Sequence, residues 1–165
     1  MSRHLIIDGY NAIGKIRELE AKKDISLEAS RMHFIKILVD FMAQNRSFDK
    51  ISIVFDSKDK DIGVTKDSYG RVEVLFATRD KDADGVIVDI LRGASSSERI
   101  TVSSDDNFIR NHARVYGREV MPISELKNII MLKKKRTGSK IEEKHLEGET
   151  LRHINEELKK HWGLK

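Results

Sequence analysis

Short apolar runs bounded by polar residues recur along the first 121 residues of the chain. The runs are three to five residues long and rich in β-branched side chains. These features are typical of buried β-strands. The pattern predicts strands at residues 5–7, 51–55, 72–76, 100–102 and 119–121.

Between these runs, apolar residues recur at helical spacing. In the segment that begins at residue 82 they fall at positions i, i+3, i+4, i+7 and i+8, which form one face of a helix. Strands that alternate with helices predict an α/β fold, with βαβ crossovers and a mostly parallel central sheet flanked by helices. The pattern predicts helices over residues 26–45, 82–92 and 105–115, and a last one that starts at Pro122.

The other segments differ in composition. Residues 57–71 are polar and are expected to form a long loop, and residues 133–140 are basic and predict a linker. We therefore divide the chain into a domain at 1–132 and a C-terminal segment at 133–165. Residues 141–162 predict a helical extension with an apolar stripe, which either docks on its own domain or pairs two chains. The stripe consists of Leu151, Ile154, Leu158 and Trp162.

Composition excludes several kinds of chemistry. The chain of 165 residues has no cysteine, which rules out disulfides, thiol catalysis and zinc–thiolate or iron–sulfur ligation. Residues 133–165 carry 10 of the 31 Lys and Arg residues but 6 of the 27 Asp and Glu residues, so the net charge of +4 lies entirely in this segment. A basic segment is a mild indication of a polyanionic partner, but the charge by itself favours a solvated basic helix.

The sequence also carries an expectation about location. No apolar stretch approaches the roughly 18 residues that a membrane span needs, and the first residues do not form a signal peptide. We therefore expect a cytoplasmic protein without a membrane partner.

Carboxylates follow the predicted strands where ligands of parallel sheets bind. Asp8 and Asp56 each end an apolar run directly, where burying a charge is costly. Carboxylates held close together repel unless a cation neutralises them, and Mg²⁺ prefers a few carboxylates plus waters. The pattern predicts a hard-cation site, although helix capping explains Asp82 or Asp106 taken singly. The remaining acids of the pattern are Asp80, Asp82, Asp84, Asp105 and Asp106.

Other catalytic patterns are absent from the sequence. It contains no GxSxG nucleophile elbow, no GxGxxG dinucleotide motif, no GxxxxGK[ST] phosphate loop and no HExxH pair. A phosphohydrolase with an aspartyl intermediate would need a second aspartate two residues after Asp8, where Tyr10 stands.

Four short motifs strengthen the interpretation of the acids. They are Asp8-Gly9-Tyr10-Asn11, Val54-Phe55-Asp56, Ala83-Asp84 and Ser103-Ser104-Asp105. In this order and spacing, from about residue 4 to residue 130, the chain resembles the YacP-like branch of the NYN domain family, which belongs to the PIN-like nucleases. The first motif is the most specific, and the others are individually common.

The resemblance implies a three-layer PIN-like α/β fold and a metal-dependent endoribonuclease that acts in RNA decay or processing. By motif, Asp8 would be the central metal ligand and Asn11 would orient a ligand or the substrate phosphate. Asp84 and Asp105 would be further catalytic acids that hold Mg²⁺ or Mn²⁺ directly or through water, and Asp56 would be a further ligand. The chain departs from the family at Gly85, where relatives often carry an acid, and this leaves the number of metal ions open.

The implied partner is RNA, mostly single-stranded, and its phosphates need basic contacts. Tyr69 is a candidate for stacking on an unpaired base. The sequence does not show which RNA is cut or whether a ribosome presents it. The candidate RNA-binding residues are Lys58, Lys60, Lys66, Tyr69, Arg71, Arg79, Lys81, Lys133, Lys134, Lys135 and Arg136.

Two other functions remain open at this stage. PIN-like domains can lose activity and keep an RNA-binding role, although acids at four junctions argue against such decay. The same metal chemistry also cleaves DNA, and no residue pattern here identifies a reader of the 2′-hydroxyl.

Overall fold

The structure is a computed structural model that describes residues 1–23, 26–56, 65–77 and 81–136. Within these ranges strands and helices alternate along most of the chain, as predicted. The elements are β1 (Ser2–Asp8), α1 (Gly9–Lys15), α2 (Arg17–Lys23), α3 (Leu27–Gln44), β2 (Lys50–Asp56), β3 (Thr65–Tyr69), β4 (Val72–Ala77), α4 (Ala83–Gly93), β5 (Glu98–Ser103), α5 (Asn107–Val115), β6 (Glu119–Met121) and α6 (Ile123–Arg136).

The six strands form one mostly parallel sheet in the order β3-β4-β2-β1-β5-β6. β1 lies between β2 and β5 and pairs with both in parallel, with Ile6 opposite Ser52 on one side and Val102 on the other. Only β3, at one edge, runs antiparallel to its neighbour β4. The carboxyl ends of the five parallel strands therefore share one edge of the sheet.

Helices cover both faces of this sheet and create two apolar cores. One core packs α1, α2, α3 and α6 against the face that includes Leu5, Ile53 and Phe76. The other packs α4 and α5 against the opposite face, which includes Ile6 and Val102. The alternation of neighbouring residues between two buried faces explains why the strands are continuous apolar runs. The three-layer architecture predicted from the sequence is confirmed.

Three segments differ from the expectations. The stretch after β1 forms the two short helices α1 and α2, which the apolar pattern did not indicate. Part of the expected polar loop forms β3. Its polar sequence does not predict a strand, and its backbone pairs with β4. α6 continues through Arg136, four residues into the expected linker. The division at 132 and the C-terminal helix remain predictions, since residues 137–165 lie outside the described ranges.

None of the helices in the described part of the chain is both long and apolar enough to cross a membrane.

The turn from β1 into α1 has space only for glycine. A Cβ atom on Gly9 would lie 2.3 Å from ring carbons of Phe55 and 2.9 Å from the carbonyl oxygen of Val54. Phe55 has no exposed surface and is held between Tyr10 and Phe76, with ring centroids 5.1 and 5.7 Å away. The chain can therefore enter α1 directly after Asp8 because residue 9 has no side chain.

We expect Gly9→Ala to destabilise the fold by roughly 1–3 kcal/mol, because the added methyl group overpacks a rigid core site. Urea unfolding measures this loss. Gly14→Ala is the matched control, since a Cβ atom there meets nothing within 4 Å and alanine is the better helix former. Equal stability of the two variants would contradict the steric argument.

Candidate active site

The sheet changes its winding direction beside β1. On one side of β1 lie β2, β4 and β3, in this order outward. The chain then crosses to the other side of β1 to form β5. Ligands of open α/β sheets bind at such a switch point, beyond the carboxyl ends of the strands. Asp8 ends β1 there, and residues 104–106 follow β5 at the same edge.

Asp8 is a buried carboxylate, with 9% of its surface exposed. The hydroxyl of Ser104 donates to its Oδ2 atom at 3.1 Å, and the backbone N–H of Asn11 also donates to the carboxylate. Burial, together with the charges of Asp84 and Asp106, outweighs these bonds and raises the pKa of Asp8 to about 6. The negative charge of Asp8 is therefore costly in the protein by itself.

Asp84 lies in the first turn of α4 and is the second acid of this edge. Partial burial and the charges of Asp106, Asp82 and Asp56 raise its pKa. Asp56 and Asp82 hold the start of α4, because they accept hydrogen bonds from backbone N–H groups at 2.7 and 2.8 Å. The predicted ligand Asp56 thus has a structural contact and also contributes negative charge to the edge.

Asp105 and Asp106 point to different partners. Asp105 accepts from the backbone N–H of Ile123 at 3.1 Å with Oδ1, and its Oδ2 lies 3.2 Å from Nζ of Lys15. Asp106 instead interacts electrostatically with both Asp8 and Asp84. These contacts indicate that Asp105 holds the start of α6, and its predicted role as a metal ligand stays a prediction. Asp106 joins Asp8 and Asp84, and we call these three residues the acidic group.

Asn11 connects the two strands of the switch point. Its Oδ1 atom accepts a hydrogen bond from the backbone N–H of Asp105 at 2.9 Å, while its own backbone N–H donates to Asp8. The residue therefore fixes the loop after β5 relative to the end of β1. Its predicted contact with a ligand or a phosphate stays a prediction.

The donor chemistry of the acidic group fits a hard divalent cation. Buried carboxylates with raised pKa values gain most when a positive charge is placed among them. Within the described ranges, however, no three acidic or histidine side chains form a ready-made metal site. Mg²⁺ keeps several waters and uses one or two carboxylates directly. Asp8, Asp84 and Asp106 are the residues that would hold such an ion, which would supply the positive charge that this edge lacks.

Of the predicted RNA-binding residues, Lys81 lies nearest to the acidic group along the chain, directly before the Asp82 cap of α4. Its side chain is about half exposed and pairs with Asp89. Lys66 is also exposed, but its ammonium group lies 3.0 Å from the carboxylate of Glu73 on β4. Among the predicted RNA-binding residues that the structure describes, Lys81 is therefore the one that flanks this edge.

Two predicted RNA contacts are contradicted by the structure. Tyr69 is 7% exposed and belongs to the apolar core, so its ring is not available for stacking on a base. Arg71 precedes β4, at the amino end of the strand, and donates to the backbone carbonyl oxygens of Met42 and Phe48. Both residues lie at the end of the sheet opposite to Asp8.

The basic run at residues 133–136 is separated from the acidic group by the direction of α6. The helix begins beside Asp105 at residue 123, and a rise of 1.5 Å per residue carries its last turn about 15–20 Å away. The expectation that this run flanks the acidic edge is therefore not met by the backbone. The other candidates, Lys58, Lys60 and Arg79, lie outside the described residues.

A second polar group lies at the opposite end of the sheet. Nε2 of His4 is 2.7 Å from the hydroxyl of Ser52, and Nδ1 is 3.4 Å from the carboxylate of Glu98. Burial lowers the pKa of His4 and so favours the neutral form of the ring. Ser52 is 1% exposed, so no substrate can reach its hydroxyl, and the arrangement is structural.

Sequence reasoning placed Asp106 at this edge without naming it as a ligand, and it missed Ser104 and Lys15 as parts of the edge. Ser104 stands in one of the four motifs, and this was an available signal. Asp106 was assigned to capping, and it does accept from the backbone N–H of Phe108 at 2.8 Å. Which of two adjacent aspartates faces Asp8 depends on the turn after β5, and spacing along the chain does not reveal it.

Comparisons with known proteins agree with this architecture. The chain matches the model of the YacP-like NYN domain over residues 5–163. It is similar to the crystal structure of Rae1 (YacP) from Bacillus subtilis, with a TM-score of 0.66 and 24% identity over 96% of this chain and 91% of that chain. A tryptophan-to-leucine mutant of that protein aligns with a TM-score of 0.65 and 24% identity, over 81% of this chain and 77% of that chain. No curated protein matches the chain significantly. The likeness confirms the predicted PIN-like fold.

We expect Asp8→Asn to stabilise the cation-free protein near neutral pH. Because the pKa of Asp8 is raised from 3.8 to about 6, the folded state binds its proton more tightly than the unfolded chain does. The contribution of Asp8 to stability is therefore fully present below the unfolded pKa and is lost as the pH rises through about 6. A neutral asparagine avoids this loss, which amounts to roughly 1–3 kcal/mol.

Urea unfolding in excess EDTA measures the difference between the two proteins. The gain should be present at about pH 8 and absent at about pH 4, where Asp8 is neutral in both states. A gain of the same size at both pH values would mean that the buried charge is not its cause.

Proposed function

The chain belongs to the YacP-like NYN domain family of PIN-like nucleases, and we propose that it is a metal-dependent endoribonuclease that hydrolyses RNA phosphodiester bonds. The observation that carries the proposal is the buried carboxylate of Asp8, whose pKa is raised by burial and by Asp84 and Asp106. A protein retains such a destabilising group where a ligand compensates for it.

In this proposal Asp8, Asp84 and Asp106 hold Mg²⁺ or Mn²⁺. When bound, such an ion lowers the pKa of water and stabilises negative charge on phosphoryl and leaving oxygens. The chain needs no side-chain nucleophile for this reaction. The edge beyond β1 and β5 is the ligand-binding edge of the sheet, which is where the scissile phosphate would lie.

The neighbouring side chains position the acids. Ser104 donates to Asp8 and accepts from the backbone N–H of Asp106, at 3.1 Å in each case. A single hydroxyl thus connects the carboxylate of Asp8 to the backbone of Asp106. Asn11 sets the loop that carries both Ser104 and Asp106, and its neutral amide adds no charge where a phosphate must approach.

Contacts to the RNA backbone are proposed for the lysines at this edge. Lys81 precedes α4, and Lys15 at the end of α1 is about half exposed and pairs with Asp105. Ammonium groups beside an acidic group offset its repulsion of the phosphates. The preference for RNA over DNA rests on the family, and the test below includes both polymers.

We expect the wild-type protein to cleave a labelled, mostly single-stranded RNA with Mg²⁺ or Mn²⁺ and to lose this activity in excess EDTA. Asp8→Asn should lower the rate by about a hundredfold or more, since it removes the central charge that holds the ion. Gel analysis of the products measures both effects. A matching DNA strand tests the choice of polymer.

Thermal unfolding with and without the ion supplies the control. The ion should raise the melting temperature of the wild type but not that of Asp8→Asn. Cleavage by Asp8→Asn at the wild-type rate would refute the site. A folded wild type that gains stability from the ion and binds RNA without cleaving it would support the RNA-binding alternative instead.

We expect the two adjacent aspartates to differ in their effect on the rate. Asp106→Asn removes a charge from the acidic group but keeps a good helix cap, so it should lower the rate about tenfold or more without loss of stability. Asp105→Asn retains the acceptor for Ile123 and should change the rate much less.

The comparison needs only single-turnover rates at equal ion concentration and a melting curve for each variant. A larger loss of the cleavage rate in Asp105→Asn than in Asp106→Asn would reverse this assignment and identify Asp105 as the ligand.

A further inference from the structure

Phe108 is an aromatic residue exposed at the edge that carries the acidic group. It is the second residue of α5, and 51% of its surface is accessible to solvent. Every other phenylalanine or tyrosine in the described ranges is buried or half-buried. Single exposed apolar residues are common on protein surfaces, so the exposure of Phe108 alone does not indicate a function. Its position beside the acidic group is the observation that indicates one.

A short series of hydrogen bonds connects Phe108 to Asp8. The backbone N–H of Phe108 donates to Oδ1 of Asp106 at 2.8 Å, and the backbone N–H of Asp106 donates to Ser104 at 3.1 Å. Ser104 in turn donates to Asp8 at 3.1 Å. The backbone of the aromatic residue is therefore bonded to the loop that carries Asp106 and that Ser104 connects to Asp8.

His112 supports the ring of Phe108 from one side. The two ring centroids are 4.3 Å apart, and the planes are tilted by 45°. Nδ1 of His112 lies 2.8 Å from the carbonyl oxygen of Phe108. Because a carbonyl oxygen only accepts, Nδ1 is the donor of this bond. The histidine is thereby held against the phenylalanine, which keeps half of its own surface open.

The chemistry of the neighbouring site identifies what this ring would bind. If a phosphodiester is cleaved at the acidic group, the nucleotides on both sides of it lie next to that site, and their bases need a surface. Aromatic side chains bind unpaired bases by stacking, largely independently of sequence, because each base presents a flat π surface. A base paired within a duplex does not offer that surface.

We propose that Phe108, supported by His112, is a stacking platform for an unpaired base next to the scissile phosphate and that it selects single-stranded RNA. This inference rests on the proposed nuclease function of the same edge. It assigns to Phe108 the stacking role that the sequence suggested for Tyr69, which the core buries.

Binding by the non-cleaving Asp8→Asn protein provides the test, with fluorescence anisotropy of a short labelled RNA in Mg²⁺ as the measurement. In this background Phe108→Ala should weaken the binding of single-stranded RNA on the order of tenfold, and Phe108→Trp should retain it. Val115→Ala is the matched control, because Val115 ends the same helix and is 80% exposed. It should leave the affinity unchanged.

Abasic RNAs separate stacking from a general surface contact. In a series of RNAs, one base at a time is removed along the strand. Removal of the base at one position, and at no other, should weaken binding to the Asp8→Asn protein. The same removal should have no further effect once Phe108 is alanine, since the two changes delete one interaction. A blunt duplex of the same sequence should bind equally to the Asp8→Asn protein and to the protein that carries both Asp8→Asn and Phe108→Ala.

Two binding results would overturn the inference. One is an unchanged affinity of the Phe108→Ala protein with an unchanged melting temperature, and the other is an equal loss of affinity for single-stranded RNA and duplex. If the wild type cleaves RNA while Phe108→Ala has the same KM, the stacking role fails and the nuclease function stands. If the wild type cleaves no RNA but binding depends on Phe108 and on one base, the function fails and the stacking site stands.

Discussion

The negative charge of Asp8 has to be held at the end of the central strand, where burial opposes it. Two hydrogen bonds favour the charged form, one from the hydroxyl of Ser104 and one from the backbone of Asn11. These bonds join the end of β1 to the loop after β5 and to the start of α1. The position of the loop that carries Asp106, and with it the shape of this edge around Asp8, depends on this junction.

The acidic residues around the junction have two different roles: some orient helices, and others contribute negative charge to the edge. Asp56, Asp82 and Asp105 accept hydrogen bonds from the starts of α4 and α6, so they orient the helices that border the edge. Asp8 and Asp84 have raised pKa values and contribute the unfavourable charge. A site of this kind lowers stability in the absence of a ligand and returns it on binding, as expected for a cation site on a rigid sheet.

The exposed surface beside the acids suggests how a polymer would lie there. Phe108 is fixed through Asp106, and Lys81 flanks α4, so an aromatic surface and a basic group both accompany the acidic group. The basic run at residues 133–136 is separated from them by the length of α6. In the proposed function, recognition of RNA at this edge would rest on a few residues close to the acidic group.

Much of the fold was predictable, because a strand buried on both faces is a continuous apolar run and a surface helix shows a period near 3.6. The strands through Ile6, Ile53 and Val102 were predicted correctly. β3 was missed because its polar sequence is stabilised by pairing with β4, and pairing leaves no local pattern. α1 and α2 were missed for a similar reason, since packing against α3 and the sheet stabilises them.

By itself, the sequence determined the α/β class, the family and the strand-end position of Asp8, because these follow from local periodicity and from four short motifs. Only the tertiary structure showed that Asp105 bonds to the start of α6 while Asp106 interacts with Asp8, and it placed Tyr69 in the core and Phe108 at the surface. The physical reason is that direction and burial are set by long-range packing. Two adjacent aspartates, or two aromatic rings, are chemically alike until the chain around them has folded.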